Sequence, residues 1–177
     1  MVDIKKSLSG SQTVLLTMTS AEYNKAMVAS VKSLSTGTVC YVTTNKTFDS
    51  LKETFKKSKI KLDKIVFIDA ISKTIKKTPS QAENVYYVSS PGALTELSLV
   101  IDKFLRHKFD YLIFDSITNL NIYNKTTICA KFMTSLINKI KKGKTKAIFY
   151  AIGAKDSELI NHAGTYVDKV IGTKSGK

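Results

Sequence analysis

Arginine is almost missing from this chain of 177 residues: Arg106 stands alone among 28 basic residues, and the rest are lysine. Bidentate grip on phosphate or guanine is mainly arginine work, so this basic set is poorly suited to base-specific readout of nucleic acid. Cysteine and histidine are scarce as well, with two of each. Cys40 and Cys129 lie far apart in apolar surroundings. That excludes a disulfide framework or a zinc site and predicts two reduced, buried thiols. No apolar run is long enough to span a bilayer. The opening stretch MVDIKKSLSG lacks the apolar core of a signal peptide, so a cytoplasmic location is expected.

What the chain does have is charge of one sign. The net charge is +14, while the 43% hydrophobic and 24% charged content is that of an ordinary globular domain. Such a balance favours polyanions, nucleic acid or an anionic membrane surface. The chain is also rich in Ile, Asn and Tyr, so an AT-rich genome is a second source of the lysine excess. No repeat, low-complexity tract or linker divides the sequence. One domain is expected over residues 1–177, with its core at 12–172 and tails at 1–11 and 173–177, the last of these, TKSGK, expected to be disordered.

Short β-branched apolar runs alternate with helical patterns. TVLLTM (13–18), TVCYVT (38–43), KIVFIDA (64–70), NVYYVSS (84–90), FDYLIFDS (109–116), KAIFYAIG (146–153) and YVDKVIG (166–172) read as strands. Helices are expected at 20–34, stopped by Gly37, at 48–58, at 91–105 with Pro91 in the first turn, at 126–142, stopped by Gly143, and at 156–164. The segment 72–83 reads as a surface loop. Strands apolar along their whole length and separated by helices predict a three-layer α/β fold, a mostly parallel sheet covered on both faces.

The order of these pieces resembles the RecA/KaiC-like branch of the P-loop ATPases, over residues 12 to 172. FDYLIFDSITNL (109–120) is similar to the Walker B strand of that branch, an apolar strand ending in Asp-Ser. FMTSLINKIKKGKTKAIFYAI (132–152) resembles the helix and strand that follow it, and ELINHAGTYVDKVI (158–171) the closing segment. VYYVSSPGALTELSLVI (85–101) is similar to archaeal KaiC-like domains. The resemblance implies a RecA-like fold and a nucleotide site where the first strand meets the first long helix. There the family carries Gly-x-x-x-x-Gly-Lys-Ser/Thr, whose glycines let backbone N–H groups close on phosphate. Laid on this chain, the two glycine positions fall on Thr19 and Asn24, the lysine on Lys25 and the magnesium-binding hydroxyl on Ala26. Only the lysine matches. TSAE (19–22) reads instead as a capping box, which satisfies the helix start with its own side chains and places Glu22 where an anion would sit.

The family's catalytic glutamate follows its second strand; here that region offers Thr44, Asn45 and Lys46, and Asn45 can orient a water but is no base. Asp115 and Ser116 remain. Asp115 reads as a magnesium ligand through water or as an Asp-Ser turn closing a strand, and a lone carboxylate is a poor magnesium site. Asp69 also ends a strand. It reads as a partner of Asp115 at the sheet edge that holds ligands in open α/β folds, or as a solvated strand end. Ser89, Ser90 and Thr118 are expected along that edge. GTKSGK (172–177) imitates half a phosphate loop but has no helix to follow it.

The vestigial nucleotide site is thus Thr19, Asn24, Lys25, Asn45, Asp115 and Ser116, with no cofactor expected and ATP with magnesium as the weaker option. A second feature is the lysine loops. Lys56, Lys57, Lys59 and Lys61, then Arg106 and Lys108, then Lys141, Lys142, Lys144 and Lys146 all fall between a helix end and the next strand. In a parallel fold these loops gather at the N-terminal edge of the sheet. Cations favour helix C-termini by about 0.3–1 kcal/mol each, which alone accounts for such a pattern. Attraction to nucleic acid is the functional reading. The expected function is a non-catalytic RecA-like domain working through protein partners. A nucleic-acid-binding module and a residual nucleotide-binding protein are the alternatives.

Overall fold

The computed structural model describes residues 2–153 and 157–173. Seven strands form one sheet: β1 Thr13–Met18, β2 Val39–Thr43, β3 Ile65–Asp69, β4 Val85–Tyr87, β5 Tyr111–Asp115, β6 Lys146–Ile152 and β7 Lys169–Gly172. Their order is β4-β3-β2-β5-β6-β1-β7, and every pairing is parallel. The expected three-layer RecA-like α/β architecture is therefore present, with an all-parallel rather than mostly parallel sheet.

Alternation along the strands divides the core in two. Val14, Leu16 and Met18 of β1, with Tyr41, Ile113, Ile148 and Tyr150, face α1 (Ile4–Ser9), α2 (Ser20–Leu34) and α3 (Phe48–Lys57). Leu15, Val42, Leu112, Phe114 and Phe149 face α5 (Leu94–Leu105), α6 (Ile117–Tyr123), α7 (Thr126–Lys141) and α8 (Glu158–Tyr166). Burial on both faces explains why the strands read as unbroken apolar runs. Cys40 and Cys129 are free and buried, one in each of two elements of the second cluster. Burial pushes the Cys40 thiol up to about 12.

Several expectations are corrected. Residues 4–9 are not a tail: α1 is capped by Asp3, buries Ile4 and Leu8, and its Leu8 carbonyl accepts the Lys146 ammonium. The 72–83 loop opens with a helical turn, α4 (Ser72–Ile75). The helix expected at 91 starts at Leu94, because Pro91 and Gly92 form a turn in which Ser90 Oγ accepts from the Gly92 N–H. β4 covers only three residues, and α6 follows β5 where no helix was expected. The last helix, expected at 156–164, runs from Glu158 to Tyr166, so β7 begins at Lys169 rather than at 166. Thr173 is tied to β1 and α2, its N–H to the Thr17 carbonyl and its hydroxyl to Glu22. The disorder expected for the tail concerns residues 174–177, which lie outside the described residues.

Asp168 fastens the start of β1. Its Oδ2 accepts from the N–H groups of Gln12 and Thr13 and from the Thr13 hydroxyl, and Oδ1 pairs with Lys141 at 2.8 Å. Burial works against the carboxylate, but these bonds outweigh it and bring its pKa down to about 2 from an ordinary 3.8. A depressed native pKa contributes stability that is present above the unfolded value and lost as pH falls through the folded one. Asp168→Asn is expected to cost about 1 kcal/mol at neutral pH, discounted because the side chain is one-third exposed. In urea melts the difference from the parent is expected to vanish as pH falls from about 4 to about 2.

Candidate functional site

β1 ends and α2 begins at Thr19. The capping box is present: Thr19 Oγ1 accepts from the Glu22 N–H at 3.3 Å, and Glu22 Oε2 accepts from the Thr19 N–H at 3.0 Å. Met18 and Tyr23 flank the box at the positions of a hydrophobic staple, and both belong to the same buried cluster. The staple turns Tyr23 inward, towards the C-terminal ends of β2, β5 and β6.

Asp115 lies there, fully buried. It ends β5 on the face that α2 covers, two residues beyond Ile113. Its Oδ2 accepts hydroxyl bonds from Tyr23 of α2 and Tyr41 of β2, both at 2.5 Å. Its Oδ1 accepts from the Asn45 amide at 3.4 Å. Burial raises the carboxyl above the usual carboxylate range, opposed by the bonds from Tyr23, Tyr41 and Asn45 and by the nearby Lys46 charge. Burial, reinforced by the Asp115 charge, pushes both tyrosines up. Tyr150 of β6 faces the same chamber, fully buried, and is also pushed up by burial. Three tyrosine rings thus wall in one carboxylate. A cis peptide bond joins Asp115 to Ser116. Ser116 is buried, and its N–H donates to the Thr44 hydroxyl at 3.0 Å.

The other candidates do not converge on Asp115. Lys25 is exposed on α2, and so is Asn24, which accepts from the Lys46 ammonium at 3.1 Å. Lys46 is the cation near the carboxylate, 5.5 Å over the Tyr23 ring. Asn45 is held by Asn119, whose amide donates to Asn45 Oδ1 and to the Thr44 carbonyl, both at 3.0 Å. Ser20, Tyr23, Asn45, Lys46, Thr118 and Asn119 border a cleft of about 490 Å³ at this edge. Asp69 shares the edge: Thr43 of β2 lies in register with both Asp69 and Asp115. It is not solvated, however, and does not border the cleft. It is fully buried and accepts from the N–H groups of Phe48, Ile71 and Ser72 and from the Ser72 hydroxyl. The Ser89 N–H donates to Glu96 of α5, Ser90 Oγ accepts from the Gly92 N–H, and the Thr118 hydroxyl bonds Ser116 and accepts from the Ile152 N–H of β6. Among the described residues no three His, Cys, Asp or Glu side chains gather as a metal site.

Tyr23, Tyr41, Tyr150, Lys46 and Asn119 were not legible as site residues. The signal that finds the tyrosines is positional: Tyr41 and Tyr150 sit in apolar strands at positions that share a face with Asp115.

At the opposite edge the lysine loops precede β3, β5 and β6 as topology required. Lys56, Lys57, Lys59, Lys61, Arg106, Lys108, Lys142 and Lys144 are exposed. Two members of the expected set are committed elsewhere. Lys146 is half-buried against the Leu8 carbonyl, and Lys141 holds Asp168 and the Tyr166 carbonyl.

The fold is similar to that of a KaiC-like protein from the hyperthermophilic archaeon Pyrococcus horikoshii OT3, with a TM-score of 0.59 and 14% identity over 91% of this chain and 70% of that one. No curated protein matches the sequence. A family model described as a family of unknown function (DUF7090) matches residues 2–176.

Proposed function

The chain belongs to the family of unknown function DUF7090, and from that premise we propose a non-catalytic role: a RecA-like domain that acts in regulation or scaffolding through protein contacts rather than by turning over ATP. The observation that carries this reading is the seat of Asp115. A magnesium ion takes oxygens at about 2.0–2.1 Å in an octahedron that usually keeps several waters. Asp115 is sealed from solvent, and its Oδ2 already receives two hydroxyl hydrogens. That donor set does not fit the ion.

Two further observations support the reading. The first turn of α2 is capped by Thr19 and Glu22, which places a carboxylate where the helix dipole would otherwise attract phosphate. Exposed apolar side chains, Ile122, Tyr123 and Ile128, gather where α6 turns into α7 and give a protein partner something to cover. The alternative, a residual nucleotide site, draws on the cleft beside Tyr23, where the available cation is Lys46 rather than Lys25.

The test is a titration with ATP and magnesium followed by calorimetry and thermal unfolding. The expected result is no heat of binding and no shift in Tm at millimolar nucleotide. A micromolar site would stabilise the fold by about 4 kcal/mol at a thousandfold excess over Kd. Such a shift, with turnover abolished by Asp115→Asn, would overturn the proposal.

A further inference from the structure

The edge of the sheet opposite Asp115 carries a set of exposed cations at the ends of α3, α5 and α7 and in the loops that follow them. Lys56, Lys57, Lys59 and Lys61 precede β3; Arg106 and Lys108 precede β5; Lys142 and Lys144 precede β6. The acids that approach them are largely committed. Asp110 accepts from the Thr38 N–H and hydroxyl, Asp102 pairs with Lys139, and Asp168 pairs with Lys141. Asp63 and Asp110 are the exposed acids within these loops. None of the eight cations has an ion-pair partner among the described residues.

The strand order puts the loops in a row. From β3 through β2 and β5 to β6 there are three inter-strand steps, about 14–15 Å in all. At the β6 end of the row lies a groove of about 530 Å³ between the α5–β5 and α7–β6 loops, with Lys108 and Lys144 on its walls and Asp110, Gly143 and Thr145 among its other residues. Lys59 and Lys108 hold φ of 58° and 54°, the left-handed region that glycine fills most easily at helix ends, yet both positions carry charge.

We propose that this edge binds a nucleic-acid duplex through its phosphates, without reading sequence. The inference is independent of whether the opposite edge binds nucleotide. A row of ammonium groups matches a regular line of phosphates, whose neutralisation releases counterions. Lysine rather than arginine suits backbone contact without base readout. The aromatic rings near the row, Phe104, Phe109 and Tyr111, are all half-buried, and the first two pack on each other, so they offer no open platform for unstacked bases of a single strand. An anionic membrane fits less well. Apolar side chains that would insert, Ile75, Ile122, Tyr123 and Ile128, lie at the other edge, beyond the C-terminal ends of β3 and β5.

Fluorescence anisotropy with labelled DNA and RNA duplexes of about 20 random base pairs, at about 50 and about 200 mM salt, tests the proposal. Binding is expected at the lower salt, with affinity falling by about 10³ at the higher for about six phosphate contacts. Lys142→Gln with Lys144→Gln is expected to weaken binding at least about tenfold and to lower the salt slope by about 2. Lys73→Gln with Lys76→Gln removes the same charge at the opposite edge and is expected to leave binding unchanged. The proposal is overturned by absent binding at low salt, by an equal loss from the two pairs, or by binding to vesicles of phosphatidylserine and phosphatidylcholine with none to either duplex.

Discussion

Asp115→Ala is expected to cost about 3–5 kcal/mol of folding stability, a fall in Tm of roughly 6–20 °C for a chain of this size, with no ATP turnover to lose. The substitution leaves two buried tyrosine hydroxyls without their carboxylate acceptor, Tyr23 with only the Met27 sulfur at 3.2 Å and Tyr41 with none. Each orphaned buried donor costs about 1–3 kcal/mol, and the cavity left by the carboxylate adds to it. Asp115→Asn tests the same geometry more gently. Its amide oxygen can take the place of Oδ2 and accept from both tyrosines, while its nitrogen displaces only the long 3.4 Å bond from Asn45, so a loss of about 1 kcal/mol is expected. The pH dependence separates the two forms of the carboxyl. Burial raises its native pKa, so the native state holds the proton more tightly than the unfolded chain. The contribution of this group is then fully present below the unfolded value and is lost as pH rises through the folded one. The gap between the parent and Asp115→Asn is expected to narrow over that rise, as read by urea melts at several pH values. A catalytic carboxylate would behave otherwise: Asp115→Asn would abolish turnover and leave stability nearly untouched.

The contrast explains which parts of this molecule could be read from sequence. β1 and α2 were legible to the residue because two independent signals coincide at Thr19: an unbroken apolar run ends, and a capping box begins. The sheet was legible because strands buried on both faces need no alternation to announce them. Two helices were not. In α1 only Ile4 and Leu8 are buried within six residues, and the helix is held by its docking and by Lys146, about 140 residues away in the chain. In α6, ITNLNIY is a poor helix former, and it persists because Ile117 and Leu120 are fully buried. The chamber around Asp115 was hidden for a different reason. Locally the residues read as an Asp-Ser turn. The tyrosines that close on the carboxylate come from 92 and 74 positions away, and only strand register and the face of α2 bring them together.

Asp69 makes the converse case, a carboxylate that resembles a site residue in sequence and serves as a joint in the fold. It ends β3 as Asp115 ends β5, one strand removed on either side of Thr43. Its Oδ1 accepts from the N–H groups of Ile71 and Ser72 at 2.7 and 2.8 Å, which starts α4. Its Oδ2 accepts from the Phe48 N–H at 2.7 Å and from the Ser72 hydroxyl at 2.5 Å, which fixes the start of α3. Asp69→Ala strands three backbone N–H groups in a fully buried position. The expected loss is about 5 kcal/mol or more, of the order of the whole stability of a domain, and little folded protein is expected. Asp69→Asn keeps one oxygen but turns a donor towards a donor whichever way the amide lies. With the nitrogen on the Oδ2 side, the Ser72 hydroxyl can rotate to accept from it, but the Phe48 N–H cannot. A loss of about 2–4 kcal/mol is expected by thermal and urea unfolding, several times that of Asp115→Asn. Equal losses from the two asparagine variants would contradict this ordering. The difference lies in the donors: hydroxyl groups on side chains can reorient around an amide, whereas backbone N–H groups at the head of a helix are fixed by the helix itself.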